Sequence, residues 1–195
     1  MVHFNTVRNT SRMKERKPAR PARKDAAALW EYALRVLGGR AHSTGELREK
    51  LRGKAELAAD VDPTIARLKE YGYLNDRKFA ENFATARLEN EGLGKTRVLA
   101  DLSRRRVAPT VAQQTVGKVY EDVNEAALAE EFVRRKFRMA DKETLFQDDK
   151  QMASAYRRLV RAGFRSATTI AVLKKFARDP NLLDGFEPPE ESAEE

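Results

Sequence analysis

The sequence predicts an all-α protein built from tandem three-helix units in an elongated array. Three observations lead there. Of 195 residues, 35% are charged and 41% hydrophobic, and Leu, Ile, Val and Phe together supply only about 22%, just above the level at which a charged chain stays disordered. That favours small helical units with thin apolar seams over one dense core. Only two isoleucines occur, while Ala, Leu, Glu, Lys and Arg abound, which argues against a sandwich or a buried parallel sheet. Finally, caps and stops recur along the chain and divide residues 25–178 into about nine helices in three groups.

The first helix is expected over Ala26–Leu37, with Leu29, Trp30, Ala33, Leu34 and Leu37 on one face and Gly38-Gly39 ending it. Ser43-Thr44-Gly45-Glu46 reads as a capping box opening a short helix with Leu47 and Leu51. Asp62-Pro63 predicts a cap and first helical position for the third helix, with Ile65 and Leu68 inward and Gly72 as the stop. Asn75 caps a helix reaching Glu91, with Phe79 and Phe83 at helical spacing and Gly92 after it. A helix from Lys95 to Arg105 uses Val98 and Leu102, and Ala108-Pro109 opens one bearing Val111, Val116 and Val119. The third group starts at Asn124 and carries Leu128, Ala129, Phe132, Val133 and Phe137. A helix near Asp148–Arg161 follows, and then one capped by Ser166 with Ile170, Leu173 and Phe176. The expected organisation is thus 25–74, 75–123 and 124–178, and such units must lean on their neighbours for stability. The flanks 1–24, with eight bases against Glu15, and 179–195, with six acids from Asp184 onward, read as disordered tails. The basic arm either meets nucleic-acid phosphates through counterion release or is simply a solvated tail; the acidic tail could compete with DNA for the basic surface.

Absent cysteine excludes disulfides, Fe–S clusters and thiolate zinc sites, and two histidines leave little for a metal or acid–base centre. No apolar run approaches the length of a membrane span and no secretory signal opens the chain, so a cytoplasmic monomer without cofactors is expected. Gly92-Leu93-Gly94-Lys95-Thr96 looks like the end of a phosphate-binding loop. However, Glu89 stands where that motif needs glycine, and a helix precedes it where a strand is required. Asp148-Asp149 are adjacent and make a poor metal pair. No catalytic constellation assembles.

What remains is basic. Arg104, Arg105 and Arg106 close the fifth helix; Arg134, Arg135, Lys136 and Arg138 lie on the seventh; Arg157, Arg158, Arg161 and Arg165 follow on the eighth and its exit; Lys174 and Lys175 sit on the ninth. About half of these suit a solvated face with cations at helix C-termini. Their recurrence over several units points to an extended anion. The aromatics fall mostly at core-type positions, which gives base stacking little support.

Ala33-Leu34-Arg35-Val36-Leu37 with His42–Leu51, and above all Tyr71-Gly72-Tyr73-Leu74-Asn75-Asp76 continuing through Phe79, Phe83 and Ala86-Arg87-Leu88, resemble the RecX regulatory family. Lys136-Phe137 and Arg161-Ala162-Gly163-Phe164 are similar to its third repeat. Ala108-Pro109 departs from the family's Ser-Asp type of cap, and the 52–61 connector is longer than typical. The resemblance implies three tandem three-helix units in a curved array. It also implies binding to the RecA filament on single-stranded DNA, restraining recombinase, ATPase and coprotease activities without catalysis. The basic clusters would then face DNA or acidic filament surfaces, whereas the Gly72–Phe79 signature reads as structural rather than as the binding surface, with Tyr73 and Leu74 packing at a unit junction. The alternative is a helix-turn-helix protein of duplex DNA, although the third helices begin with poor base-reading chemistry.

Overall fold

A computed structural model describes residues 23–137 and 149–177. The acidic tail, the basic arm up to residue 22 and Arg138 lie outside these. The protein is all-α: the described residues form helices and turns, with a parallel β-bridge between Lys24 and Ala55. The helices are α1 (Ala26–Gly39), α2 (Thr44–Arg52), α3 (Val61–Glu70), α4 (Asp76–Ala86, continued by a π-turn at Arg87–Glu91), α5 (Lys95–Arg104), α6 (Pro109–Val119), α7 (Glu125–Lys136), α8 (Asp149–Arg161) and α9 (Ser166–Phe176).

Each group of three helices closes over its own apolar cluster. Leu29, Ala33, Leu47, Leu51, Ile65 and Leu68 fill the first. Ala80, Ala84, Val98, Leu102, Ala112 and Val116 fill the second, and Phe132, Val133, Met152, Leu159, Val172 and Leu173 the third. The repeat is clearest at the opening caps. The side chains of Asp25, Asn75 and Asn124 accept from the N–H groups of Ala28, Lys78 and Ala127 at 2.8, 2.9 and 3.1 Å. Such caps contribute about 1 kcal/mol each. Every second helix then leaves through a turn whose following residue is buried: Ala55, Val107 and Phe164.

Several local expectations need correction. The third helix begins at Val61, not Asp62, because a 3₁₀ turn at Ala58–Asp60 runs straight into it; Thr64 Oγ1 donates to the Asp60 carbonyl at 2.7 Å. Ser166 caps nothing: it is the first residue of α9, and its hydroxyl pairs with Tyr156 at 2.8 Å. The service at that helix start comes from α7, where Glu125 accepts from the Arg165 N–H at 2.9 Å and from Thr168 Oγ1 at 3.1 Å. In α4 the small Ala80 and Ala84 are fully buried while Phe79 and Phe83 only flank the cluster, since α6 packs too closely for rings between them. Tyr73 does not pack into a junction with Leu74: Leu74 is buried, whereas Tyr73 lies on the surface beside Trp30.

The units join by one recurring contact. The N-terminal end of each second helix meets the exit turn of the next unit's second helix. Ser43 Oγ donates to the Arg105 carbonyl, and Gly94 N–H donates to that of Ala162 at 2.8 Å. A Cβ on Gly45 would fall on the Arg106 backbone, and one on Gly94 on that of Gly163, so only glycine permits either approach. At the first unit, Lys24 N–H donates to the Lys54 carbonyl at 2.8 Å and its own carbonyl accepts from Glu56 N–H at 2.7 Å. The base of the N-terminal arm thereby covers the equivalent turn, as terminal caps do in repeat proteins.

Candidate nucleic-acid interface

The junctions between units also gather arginines. Between the first and second units a cleft of about 390 Å³ is lined by Arg40, Glu46, Phe83, Arg87, Asp101, Arg104 and Arg105. Between the second and third, a shallow groove of about 450 Å³ includes Arg97, Arg104 and Arg161. Arg104 lines both, so the two form one surface crossing all three units. On it six guanidinium groups face two carboxylates, Glu46 and Asp101.

Those two acids organise it. Glu46, in the first turn of α2, lies 3.4 Å from Arg40, 3.2 Å from Arg105 and 3.3 Å from His42 Nδ1, and accepts from Ser43 N–H. Burial pushes its carboxyl up, but the Arg40 hydrogen bond and charge, the Ser43 N–H and the Arg105 charge outweigh that, leaving it below its ordinary value. His42, almost fully buried, is held below its ordinary value of 6.5 by desolvation first and by Arg40 next, against the pull of Glu46. Asp101 is 9% exposed on the inner side of α5. It pairs with Arg97 at 3.2 Å, with Arg104, and with Arg87 at 4.0 Å. Arg87 stands in the π-turn, bonds Glu91, and lies with Arg105 over the Phe83 ring at 4.9 Å each. Asp101 thus fixes three guanidinium groups, and with Glu91 on Arg87 it still leaves a net positive charge at their exposed ends, which suits contact with phosphates.

The basic residues singled out in the sequence fall into distinct places. Arg104, Arg105 and Arg161 lie on this surface. Arg106 is turned away, 3.8 Å from Glu49, in the left-handed region at φ 58°. Arg135 donates to the carbonyls of Asn90 and Glu91, tying α7 to the π-turn. Arg165 is engaged by Glu125 at 2.6 Å; this pairing and the neighbouring hydrogen bonds outweigh burial and hold the Glu125 carboxyl low. Arg134 and Lys175 share Glu130 at 3.4 and 2.5 Å. Lys136 lies over Phe132 and Arg158 over Phe137, at 5.9 and 5.1 Å. Arg157 is exposed on α8, and Lys174 is half-buried on α9. Arg40, Arg87 and Arg97 are the site residues a search for basic runs overlooks. Each stands alone in sequence; the one local signal is Asp101 at helical spacing from Arg97 and Arg104, on the same face as Val98 and Leu102.

Among the described residues no acidic or histidine cluster could hold a metal ion, and no helix is long and apolar enough to cross a membrane.

These features define an all-α tandem-repeat protein with an arginine-lined surface along its unit junctions. Residues 30–68 match the family model described as "RecX, first three-helix domain" and residues 75–116 that of "RecX, second three-helix domain". Regulatory protein RecX of Trichlorobacter lovleyi is 31% identical over 69% of this chain and 86% of its own length. That of Amycolatopsis mediterranei is 31% identical over 79% and 88%. The crystal structure of RecX from Lactobacillus salivarius superposes with a TM-score of 0.59 at 17% identity, covering 77% of this chain and 96% of that one. The protein belongs to the RecX family of regulatory proteins.

Proposed function

We propose that the chain binds the RecA filament on single-stranded DNA and restrains its recombinase, ATPase and coprotease activities by occupancy rather than by catalysis. The observation that supports this best is the continuous surface of Arg40, Arg105, Arg87, Arg104, Arg97 and Arg161 across three joined units. An extended polyanion held inside a protein filament presents phosphates at repeated intervals, and several modest contacts on one chain combine by effective concentration. Clamping neighbouring subunits would hinder the motions that hydrolysis requires.

The test is the single-stranded-DNA-dependent ATPase rate of the cognate RecA, titrated with this protein and repeated with excess DNA. Inhibition at substoichiometric ratios that survives added DNA is expected. Inhibition abolished by added DNA identifies a mere phosphate competitor and turns attention to duplex DNA, where footprinting decides.

A further inference from the structure

The first unit carries an aromatic surface that its own packing does not explain. In α1, Leu29 and Ala33 enter the core, yet Trp30, Leu34 and Leu37 remain only partly covered. Tyr71 and Tyr73 flank Gly72 and are 59% and 54% exposed. Their backbone is fixed, with Gly72 N–H donating to the Lys69 carbonyl at 3.0 Å and Tyr73 N–H to that of Leu68 at 2.9 Å. Both rings stand against Trp30, at centroid distances of 5.9 and 6.4 Å. Scattered exposed rings need no explanation, but a contiguous group marks a contact surface.

Arg67 completes it. Its guanidinium lies 4.2 Å over Trp30 and 5.5 Å from the Tyr71 centroid. Arg87, Arg105 and Arg134 also lie over rings, and each has a carboxylate partner; Arg67 is exposed and, like Arg158 over Phe137, has no carboxylate partner among the described residues. Stacking holds the guanidinium plane still while its edge donors stay open, the arrangement that takes a carboxylate in bidentate fashion at small entropic cost. Beside Tyr73 a groove of about 490 Å³ opens between α1 and α4, lined by Leu34, Leu37, Phe79 and Lys78.

We propose that Arg67, Tyr71, Tyr73 and the adjoining groove dock a protein segment that presents a carboxylate beside an apolar side chain. The proposal rests on the filament reading above and assigns that segment to the recombinase. Trp, Tyr and Arg together are the composition of interface hot spots. Charge complementarity favours an acidic element, with Arg67 and Lys78 as the receiving cations. A nucleic-acid strand fits less well, because Arg67 already covers a face of Trp30 and the dense guanidinium surface lies at the unit junctions.

Trp30 is the only tryptophan in the chain, so biosynthetic fluorotryptophan gives a single fluorine resonance inside the patch. The full chain is titrated with RecA assembled on oligo(dT), and with oligo(dT) alone. The filament is expected to shift the resonance. Tyr71→Ala with Tyr73→Ala, and separately Arg67→Glu, should weaken filament binding at least tenfold while leaving oligo(dT) binding unchanged. Tyr71→Ala alone, at an exposed ring, should show a smaller loss in a chain whose circular dichroism is unaltered. Wild-type filament affinity in folded variants overturns the docking surface and spares the filament reading. A shift with oligo(dT), lost in the variants, makes the patch a base-stacking face instead. No filament binding by any form overturns both proposals.

Discussion

Asp101 decides how much of the arginine surface is available. It is nearly buried, and three guanidinium groups converge on it. Asp101→Asn keeps the shape and removes the charge. The arginines can still reach water, so the loss of stability should be about 1–2 kcal/mol, short of the roughly 3–5 kcal/mol seen when a fully buried pair is broken. The same change adds positive charge to the surface, so affinity for single-stranded DNA at low salt should rise even as urea resistance falls. Parallel losses in both measurements would show that Asp101 positions the arginines rather than restraining them. Arg106 makes the opposite case. It holds φ 58°, whereas Gly163 occupies the matching place in the third unit at φ 92°. A side chain in the left-handed region costs about 1 kcal/mol, and the pair it makes with Glu49 is exposed and weak. Arg106→Gly should therefore stabilise the protein by up to about 1 kcal/mol in urea denaturation.

At the level of elements, the junctions matter more than the helices. Replacing Gly94 by Ala puts a methyl group onto the Gly163 backbone. The second and third units must then shift apart, at a cost of about 1–3 kcal/mol, detectable as a broadened or split thermal transition. The junction of the first and second units is also acid-sensitive. His42 is held below its ordinary 6.5, so the unfolded chain takes the proton first; stability is complete above 6.5 and falls as pH drops toward the folded value. Glu46 is likewise depressed and adds a second loss below about 4.5. Melting temperature against pH should decline in both windows, and His42→Gln should remove the upper one. Ser43 and Asn75 were legible as caps because each bonds within its own helix, three residues on. The starts at Val61 and Ser166 were not. One follows a 3₁₀ turn that has no composition of its own, and the other is served by Glu125 from forty residues earlier, which no local pattern reports. The seams of α4 were misplaced for a related reason: helical spacing finds a face, but whether Phe or Ala fills it depends on how near the neighbouring helix comes.

Over the whole molecule, the three-unit organisation could be read from punctuation, whereas the candidate interface could not. Sequence runs drew attention to Arg104–Arg106 and Arg134–Lys136, but packing turns Arg106 toward Glu49 and ties Arg135 to the π-turn. Arg40, Arg87 and Arg97, isolated in sequence, meet because repeated units place their second helices end to end. Reversing Arg105 would therefore break its pair with Glu46 and confuse binding with junction stability. Replacing Arg97, Arg104 and Arg161 by Gln leaves Glu46 and its partners intact and removes charge from both the second and third units. If each of the three meets one phosphate, the slope of log affinity against log salt for single-stranded DNA should shrink by about 2, from roughly 0.7 per lost contact. Filament ATPase inhibition should need several times more protein; the melting temperature should fall as well, because Asp101 keeps only Arg87 at 4.0 Å, so binding is compared well below the transition, where circular dichroism shows the variant folded. Replacing Arg134, Lys174 and Lys175 by Gln serves as the comparison. An equal change in slope there would spread the polyanion contact over the whole basic surface and remove the special role of the unit junctions.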